Sequence, residues 1–121
     1  MKHVAPYSVL IAEDEGLVSM MLEDVVRDLG AGVVHVFSAV ADAVEAAVAA
    51  PYDFAVVDVI LRDGNSTPLA DVLEERGIPF LFSTGVGLDA IEPRHRTRRF
   101  VPKPFEEEDL KRHIRDLLAP A

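Results

Sequence analysis

Residues 54–58 of this chain are Phe54-Ala55-Val56-Val57-Asp58, a short apolar run that ends in a carboxylate. Three other short apolar runs end in reactive polar residues, at the pair Glu13-Asp14, at Thr84 and at Lys103. Short runs separated by helix-length stretches are typical of buried parallel strands. In an open α/β sheet, ligands bind beyond the carboxyl ends of the strands. We therefore expect three carboxylates, a hydroxyl and an ammonium to converge on one site.

Length and composition indicate a single globular domain that covers residues 1–121. Half of the residues are apolar and 27% are charged, a balance typical of a packed domain rather than a disordered chain. The net charge of −9 argues against direct nucleic-acid binding, which needs a basic surface. No apolar run is long enough to span a membrane, and the absence of cysteine excludes disulfides and thiolate metal sites. We expect a cytoplasmic protein.

The order of strand and helix patterns predicts five βα units in a doubly wound, flavodoxin-like α/β fold. The strand order 2-1-3-4-5 seats the first and third strands side by side, which would place Asp14 next to Asp58. The fourth helix, within Gly85–Arg96, is predicted to be short or irregular because two glycines and Pro93 interrupt it. This segment has few apolar anchors, so we expect it to be the most mobile element.

Three local features lead to further expectations. Ser38 is predicted to cap an alanine-rich helix that extends from Ala39 to Ala50. The basic run Arg94–Arg99 is either a solvated loop or a docking patch for an acidic partner. The first helix has an apolar face at helical spacing, with one polar exception. That face consists of Leu17, Met20, Met21, Asp24, Val25 and Leu29.

The expected site suits a divalent cation and a phosphoryl group. Carboxylates at Glu13, Asp14 and Asp58 would repel one another, and Mg²⁺ removes that penalty because it prefers oxygen ligands. An aspartate so placed can be a nucleophile, while Lys103 and Thr84 would neutralise and hydrogen-bond the phosphoryl oxygens. Each residue alone has a structural explanation, such as a helix end, a loop cap or a solvated charge. Their joint placement at four strand ends favours the functional interpretation.

At these residues the chain resembles the receiver domains of bacterial two-component response regulators. The resemblance extends from Tyr7 to Leu118. Its markers are Glu13-Asp14, Asp58 followed two residues later by Ile60, Thr84-Gly85, and Lys103-Pro104-Phe105.

The resemblance implies that Asp58 accepts a phosphoryl group from a sensor histidine kinase or a histidine phosphotransfer protein. Asp14 would bind Mg²⁺ directly and Glu13 through water, with Asp58 and the backbone carbonyl of Ile60 as further ligands. Thr84 and Lys103 would hold the phosphoryl oxygens.

The resemblance also implies a switch. Phe100 stands at the position of the family's aromatic switch residue, which turns inward when Thr84 moves, and the Lys103-Pro104 peptide bond would be cis. A protein target would bind the face formed by the predicted fourth helix, fifth strand and fifth helix. Such a protein is not an enzyme beyond its own phosphotransfer and self-dephosphorylation.

A narrower resemblance lies in Pro79–Gly87, which is similar to the signature of the single-domain FAT GUY regulators. Ser83 and Val86 depart from that signature. The subgroup implies a stand-alone regulator and a kinase of the HWE type. Ile60 and Val86 occupy positions where many receivers carry polar groups, and neither side chain can orient a water. We therefore expect slow self-dephosphorylation.

Other interpretations stay open. The chain is alternatively a phosphorylation-independent adaptor on a receiver scaffold, or a receiver from a larger regulator or hybrid kinase. A magnesium-dependent phosphohydrolase is a third class, but it needs a second acid two residues after the nucleophile, where Ile60 stands.

Overall fold

A parallel sheet forms the centre of the protein in the computed structural model, which describes residues 6–119. The spatial order of its five strands is β2-β1-β3-β4-β5, so the predicted order 2-1-3-4-5 is confirmed. All four neighbouring pairs are parallel, as expected for strands joined by helical crossovers. The strands are β1 (Tyr7–Ala12), β2 (Ala31–Phe37), β3 (Phe54–Val57), β4 (Phe80–Thr84) and β5 (Arg99–Pro102).

Four α-helices occur within residues 6–119, and none of them is long and apolar enough to cross a membrane. Two single 3-10 turns, Leu88–Ala90 and Pro93–His95, occupy the place of the predicted fourth helix, whose irregularity is therefore confirmed. The last α-helix corresponds to the predicted fifth helix. The helices are α1 (Gly16–Asp28), α2 (Val40–Ala49), α3 (Thr67–Glu75) and α4 (Glu107–Leu118).

The sheet separates two apolar layers. Every residue of β3 is fully buried, which explains why its sequence is apolar throughout instead of alternating. Leu10, Ala55 and Phe80 pack on the side of α2 and α3, whereas Ile11, Phe54 and Leu81 pack on the side of α1 and α4. Because both faces are covered, the loops at the carboxyl edge remain for the site.

The predicted buried face of α1 is partly wrong. Leu22, Val25 and Val26 are its buried residues, whereas Leu17 and Met20 are 84% and 64% exposed. The apolar spacing fits more than one rotational phase of the helix, and packing against the sheet and α4 selects one of them. In the rotational phase that the helix adopts, the large apolar side chains of Leu17 and Met20 remain on the surface.

The predicted cap of α2 is also wrong. Ala39 stands at the N-cap position, and the carboxylate of Asp63 accepts hydrogen bonds from Val40 N (2.6 Å) and Ala41 N (3.2 Å). These bonds lower the pKa of Asp63. Asp63 belongs to the turn of a short hairpin that pairs Ile60–Leu61 with Gly64–Asn65. The φ of Gly64 is +133°, a value that favours glycine.

Candidate functional site

The carboxyl ends of four strands bring the predicted site residues together through backbone hydrogen bonds that continue the sheet. Asp58 N donates to Ala12 O at 2.9 Å, which ties the end of β3 to the end of β1. Lys103 N donates to Thr84 O at 2.9 Å, which ties the residue after β5 to the end of β4. The backbone of the sheet therefore fixes the spacing of these residues independently of their side-chain contacts.

Four carboxylates meet at this edge. One oxygen from each of Glu13, Asp14, Glu15 and Asp58 lies within 4.8 Å of the others. Glu13 and Asp58 are buried, at 2% and 7% exposure, while Asp14 and Glu15 are exposed. Glu15 was not among the predicted site residues. Its position directly after the acidic pair Glu13-Asp14 is the signal that could have identified it.

The ammonium of Lys103 lies among these carboxylates. Its Nζ is 2.7 Å from Glu13 Oε1, 2.9 Å from Asp58 Oδ2 and 3.5 Å from Glu15 Oε1. Burial lowers the pKa of Lys103, but the bonds to Glu13 and Asp58 outweigh it and raise that pKa to about 12. The side chain is therefore a permanent positive charge beside Asp58.

The negative charge of the site exceeds what Lys103 neutralises. Burial raises the pKa of Glu13, and the nearby charge of Asp58 raises it further, against the bonds from Lys103 and Glu15 N. Glu13 Oε2 accepts the bond from Glu15 N at 3.1 Å, which fixes the carboxylate. Hard carboxylate oxygens, partly buried and in excess of the cation, suit Mg²⁺. These residues therefore fit a divalent metal ion.

Of the remaining predicted residues, Thr84 and Ile60 are tied by hydrogen bonds to Lys103 and Asp58, respectively. Thr84 is buried, and its Oγ1 accepts a hydrogen bond from Val86 N at 3.3 Å. Ile60 N donates to Asp58 Oδ1 at 3.4 Å, and the Lys103-Pro104 peptide bond is cis. Phe100 is half-buried and packs against the apolar layer on the side of α2 and α3.

A comparison with protein-family models gives no match, and a comparison with curated proteins also gives none. Solved structures do match. SdrG from Sphingomonas melonis Fr1 is 38% identical over 97% of this chain and 100% of that chain, with a TM-score of 0.81. The response regulator REC domain of Erythrobacter litoralis PhyR is 28% identical, with a TM-score of 0.81, over 97% of this chain and 96% of that one. This chain belongs to the response regulator receiver domains.

A more distant receiver domain adds a likeness of fold. The receiver domain of the sensor histidine kinase PA1611 from Pseudomonas aeruginosa PAO1 carries a magnesium ion in its active site cleft. It is 20% identical over 93% of this chain and 97% of that one, with a TM-score of 0.75. At this identity the likeness concerns the fold alone.

Proposed function

We propose that this receiver domain accepts a phosphoryl group on Asp58 in two-component or phosphorelay signalling, and that phosphorylation changes its binding to a protein target. The observation that carries the proposal is the contact of Asp58 Oδ2 with Lys103 Nζ at 2.9 Å, inside a cluster of three further carboxylates. The Asp58 carboxylate thus lies next to both a cation and a set of oxygens that can bind a metal ion.

The reaction follows from this arrangement. A carboxylate oxygen of Asp58 attacks the phosphorus of a phosphohistidine, a P–O bond forms, and the P–N bond to the imidazole breaks. The imidazole nitrogen that loses the phosphoryl group keeps the electron pair of the P–N bond and takes up a proton from water. Lys103 neutralises charge on the phosphoryl oxygens, and Thr84 donates a hydrogen bond to one of them. Mg²⁺ held by Glu13, Asp14, Asp58 and the carbonyl of Ile60 would supply the remaining positive charge.

The proposed partners are a sensor histidine kinase or a histidine phosphotransfer protein, in the cytoplasm. Leu17 and Met20 expose apolar surface on the helix that follows the acidic residues, which supports protein docking near the site. The turns at Leu88–Ala90 and Pro93–His95 in place of a helix support the FAT GUY subgroup, and with it a stand-alone role and an HWE-type kinase. The target would bind the face that includes β5 and α4.

The test is the intact mass of the protein after incubation with acetyl phosphate, with and without Mg²⁺. We expect the wild type to gain one phosphate in a magnesium-dependent manner. Asp58→Asn should gain none, whereas Asp109→Asn, which removes the same charge from α4, should behave as the wild type. An unmodified wild type, or equal labelling of Asp58→Asn, would overturn the proposal and favour a phosphorylation-independent adaptor.

The lifetime of the phosphoryl group is a separate prediction. Ile60 and Val86 are 42% and 37% exposed, so water can reach both side chains, but neither can form a hydrogen bond that orients it. We expect decay over minutes or longer after acetyl phosphate is removed. Ile60→Asn should shorten the lifetime several-fold, while Val33→Asn, at a similarly exposed valine on β2, should not. Rapid decay of the wild type would contradict this prediction.

A further inference from the structure

The basic run Arg94–Arg99 begins in the segment that replaces the predicted fourth helix, and four of its six residues are exposed. Its cations bind partners within the same domain, and most of those partners lie on α3 or in the adjacent turns. Arg96 Nε donates to the carbonyls of Leu88 (3.1 Å) and Ile91 (2.9 Å). These bonds fold the segment 87–98 back upon itself. The run is therefore engaged within the domain instead of being a free patch.

Asp71 on α3 is the centre of these contacts. Arg94 Nε and Nη2 donate to its two oxygens at 2.9 and 2.8 Å, a bidentate pair. His95 Nε2 lies 2.7 Å from Asp71 Oδ1. The bonds from Arg94 and then His95 lower the pKa of Asp71 to about 2. One carboxylate thus holds two consecutive residues of the segment.

His95 attaches the segment to the domain through a buried ring. Its side chain is 3% exposed and packs against the ring of Phe80, with 6.2 Å between centroids. Among residues 6–119, its buried Nδ1 has no hydrogen-bond partner. Burial of this ring therefore depends on the bond from Nε2 to Asp71, because both nitrogens would otherwise lose their hydrogen bonds to water.

Arg98 adds a second connection to α3. It pairs with Glu74, one helical turn after Asp71, and its guanidinium lies 4.8 Å from the centroid of the Phe80 ring. Asn65 connects the same segment to the hairpin that follows Asp58, because its Nδ2 donates to Ala90 O at 2.8 Å. The segment is thus attached both to α3 and to the loop of the proposed phosphoacceptor.

We propose that Asp71, Glu74, Arg94, His95 and Arg98 form a polar latch that holds segment 87–98 against α3 in the unphosphorylated protein and opens on phosphorylation. The opening of the latch on phosphorylation rests on the proposed function, whereas the contacts that hold segment 87–98 against α3 do not. The segment begins three residues after Thr84, so a movement of Thr84 toward a phosphoryl group pulls directly on it.

The composition of the latch suits a contact that opens. Arg94 and Asp71 are 56% and 44% exposed, so water can replace their bonds at small net cost. Ile91 and His95 are the buried side chains of the segment, which is little apolar surface to hold it closed. If a regular helix with an apolar face occupied the place of segment 87–98, that face would have to leave the core for the same movement.

Amide hydrogen exchange of the wild type and of Asp71→Asn, without phosphate, tests the holding function. The reporters are the amides of Ala90, His95 and Arg98, which donate to carbonyls within the segment, and Ala55 in the sheet is the reference. We expect the reporters to exchange about fivefold faster in Asp71→Asn, and Ala55 to change by no more than the loss of global stability accounts for. Arg94→Gln, which leaves Asp71 available to His95, should give a smaller increase.

The matched control is Glu23→Gln, which removes one acidic charge from the Glu23–Arg27 pair on α1. It should leave all reporters unchanged. Equal exchange in Asp71→Asn and the wild type would overturn the latch, and so would the same acceleration in Glu23→Gln.

The opening is tested by adding Mg²⁺ and beryllofluoride, a mimic of the phosphoryl group. We expect the wild-type reporters to reach the rates of Asp71→Asn. If beryllofluoride shifts the signals of Asp58 and Thr84 but not the reporter rates, the opening is wrong. If beryllofluoride shifts no signal at all, the proposed function fails. The holding function is then judged only by the exchange rates measured without beryllofluoride.

Discussion

Asp58 and Asp71 are two aspartates that each face a cation from a distant part of the chain, Lys103 and Arg94. Asp58 is buried among other acids that share the same ammonium. Asp71 lies at the surface and receives a bidentate arginine and a histidine. The acids at the first place outnumber the ammonium, whereas at the second place one carboxylate is shared by two partners.

This difference has a consequence for stability. In the site, burial raises the pKa of Glu13, so folding destabilises its carboxylate relative to the unfolded chain. In the latch, the pKa of Asp71 is lowered, so the folded state favours the carboxylate. We infer that the site costs folding free energy that a bound cation can recover, while the latch contributes stability without a ligand. The following substitutions test that contrast.

The largest effect is expected for Lys103→Ala. It leaves Glu13 and Asp58 buried without a counter-charge, which should lower the free energy of unfolding by about 3 kcal/mol. The measurement is urea denaturation followed by circular dichroism at neutral pH, without Mg²⁺. Lys111→Ala, which removes an ammonium 3.3 Å from the exposed Asp28, is the control and should change little. Equal stability of Lys103→Ala and the wild type would show that the buried charges do not depend on Lys103.

Substitutions that remove one acid should then have opposite signs at the two places. Glu13→Gln removes a charge that burial destabilises in the folded state and should raise the free energy of unfolding. Asp71→Asn removes hydrogen bonds to Arg94 and His95 and should lower it by about 1 kcal/mol. Both are measured by urea denaturation without Mg²⁺. The contrast fails if the two variants shift the denaturation midpoint in the same direction.

The smallest effect is the pH dependence of the latch. The pKa of Asp71 is about 2 in the folded protein and 3.8 for an unperturbed aspartate. Its stabilisation is therefore fully present above pH 3.8 and is lost as the pH falls through about 2. The difference in melting temperature between the wild type and Asp71→Asn should stay constant down to pH 3.8 and shrink below it. A difference that stays constant as the pH falls from 3.8 to 2 would contradict this assignment.

The sequence predicted best what depends on continuous local pattern. The strand before Asp58 is apolar at every position, so its burial and the convergence of strand ends followed directly. The rotational phase of α1 did not follow, since Leu17 and Val25 fit the same periodicity and only tertiary packing separates them. The cap from Asp63 and the pair Asp71–Arg94 join residues about 23 positions apart, and single-sequence patterns carry no signal for such contacts.

Contacts near both ends of the stretch from Asp58 to Asp63 fix its length. The carboxylate of Asp63 must reach Val40 N at the start of α2 while the same stretch holds Ile60 beside Asp58. One added or deleted residue would therefore misplace either the helix cap or the residue next to the phosphoacceptor. Designs that extend this domain should therefore leave the stretch from Asp58 to Asp63 at its present length.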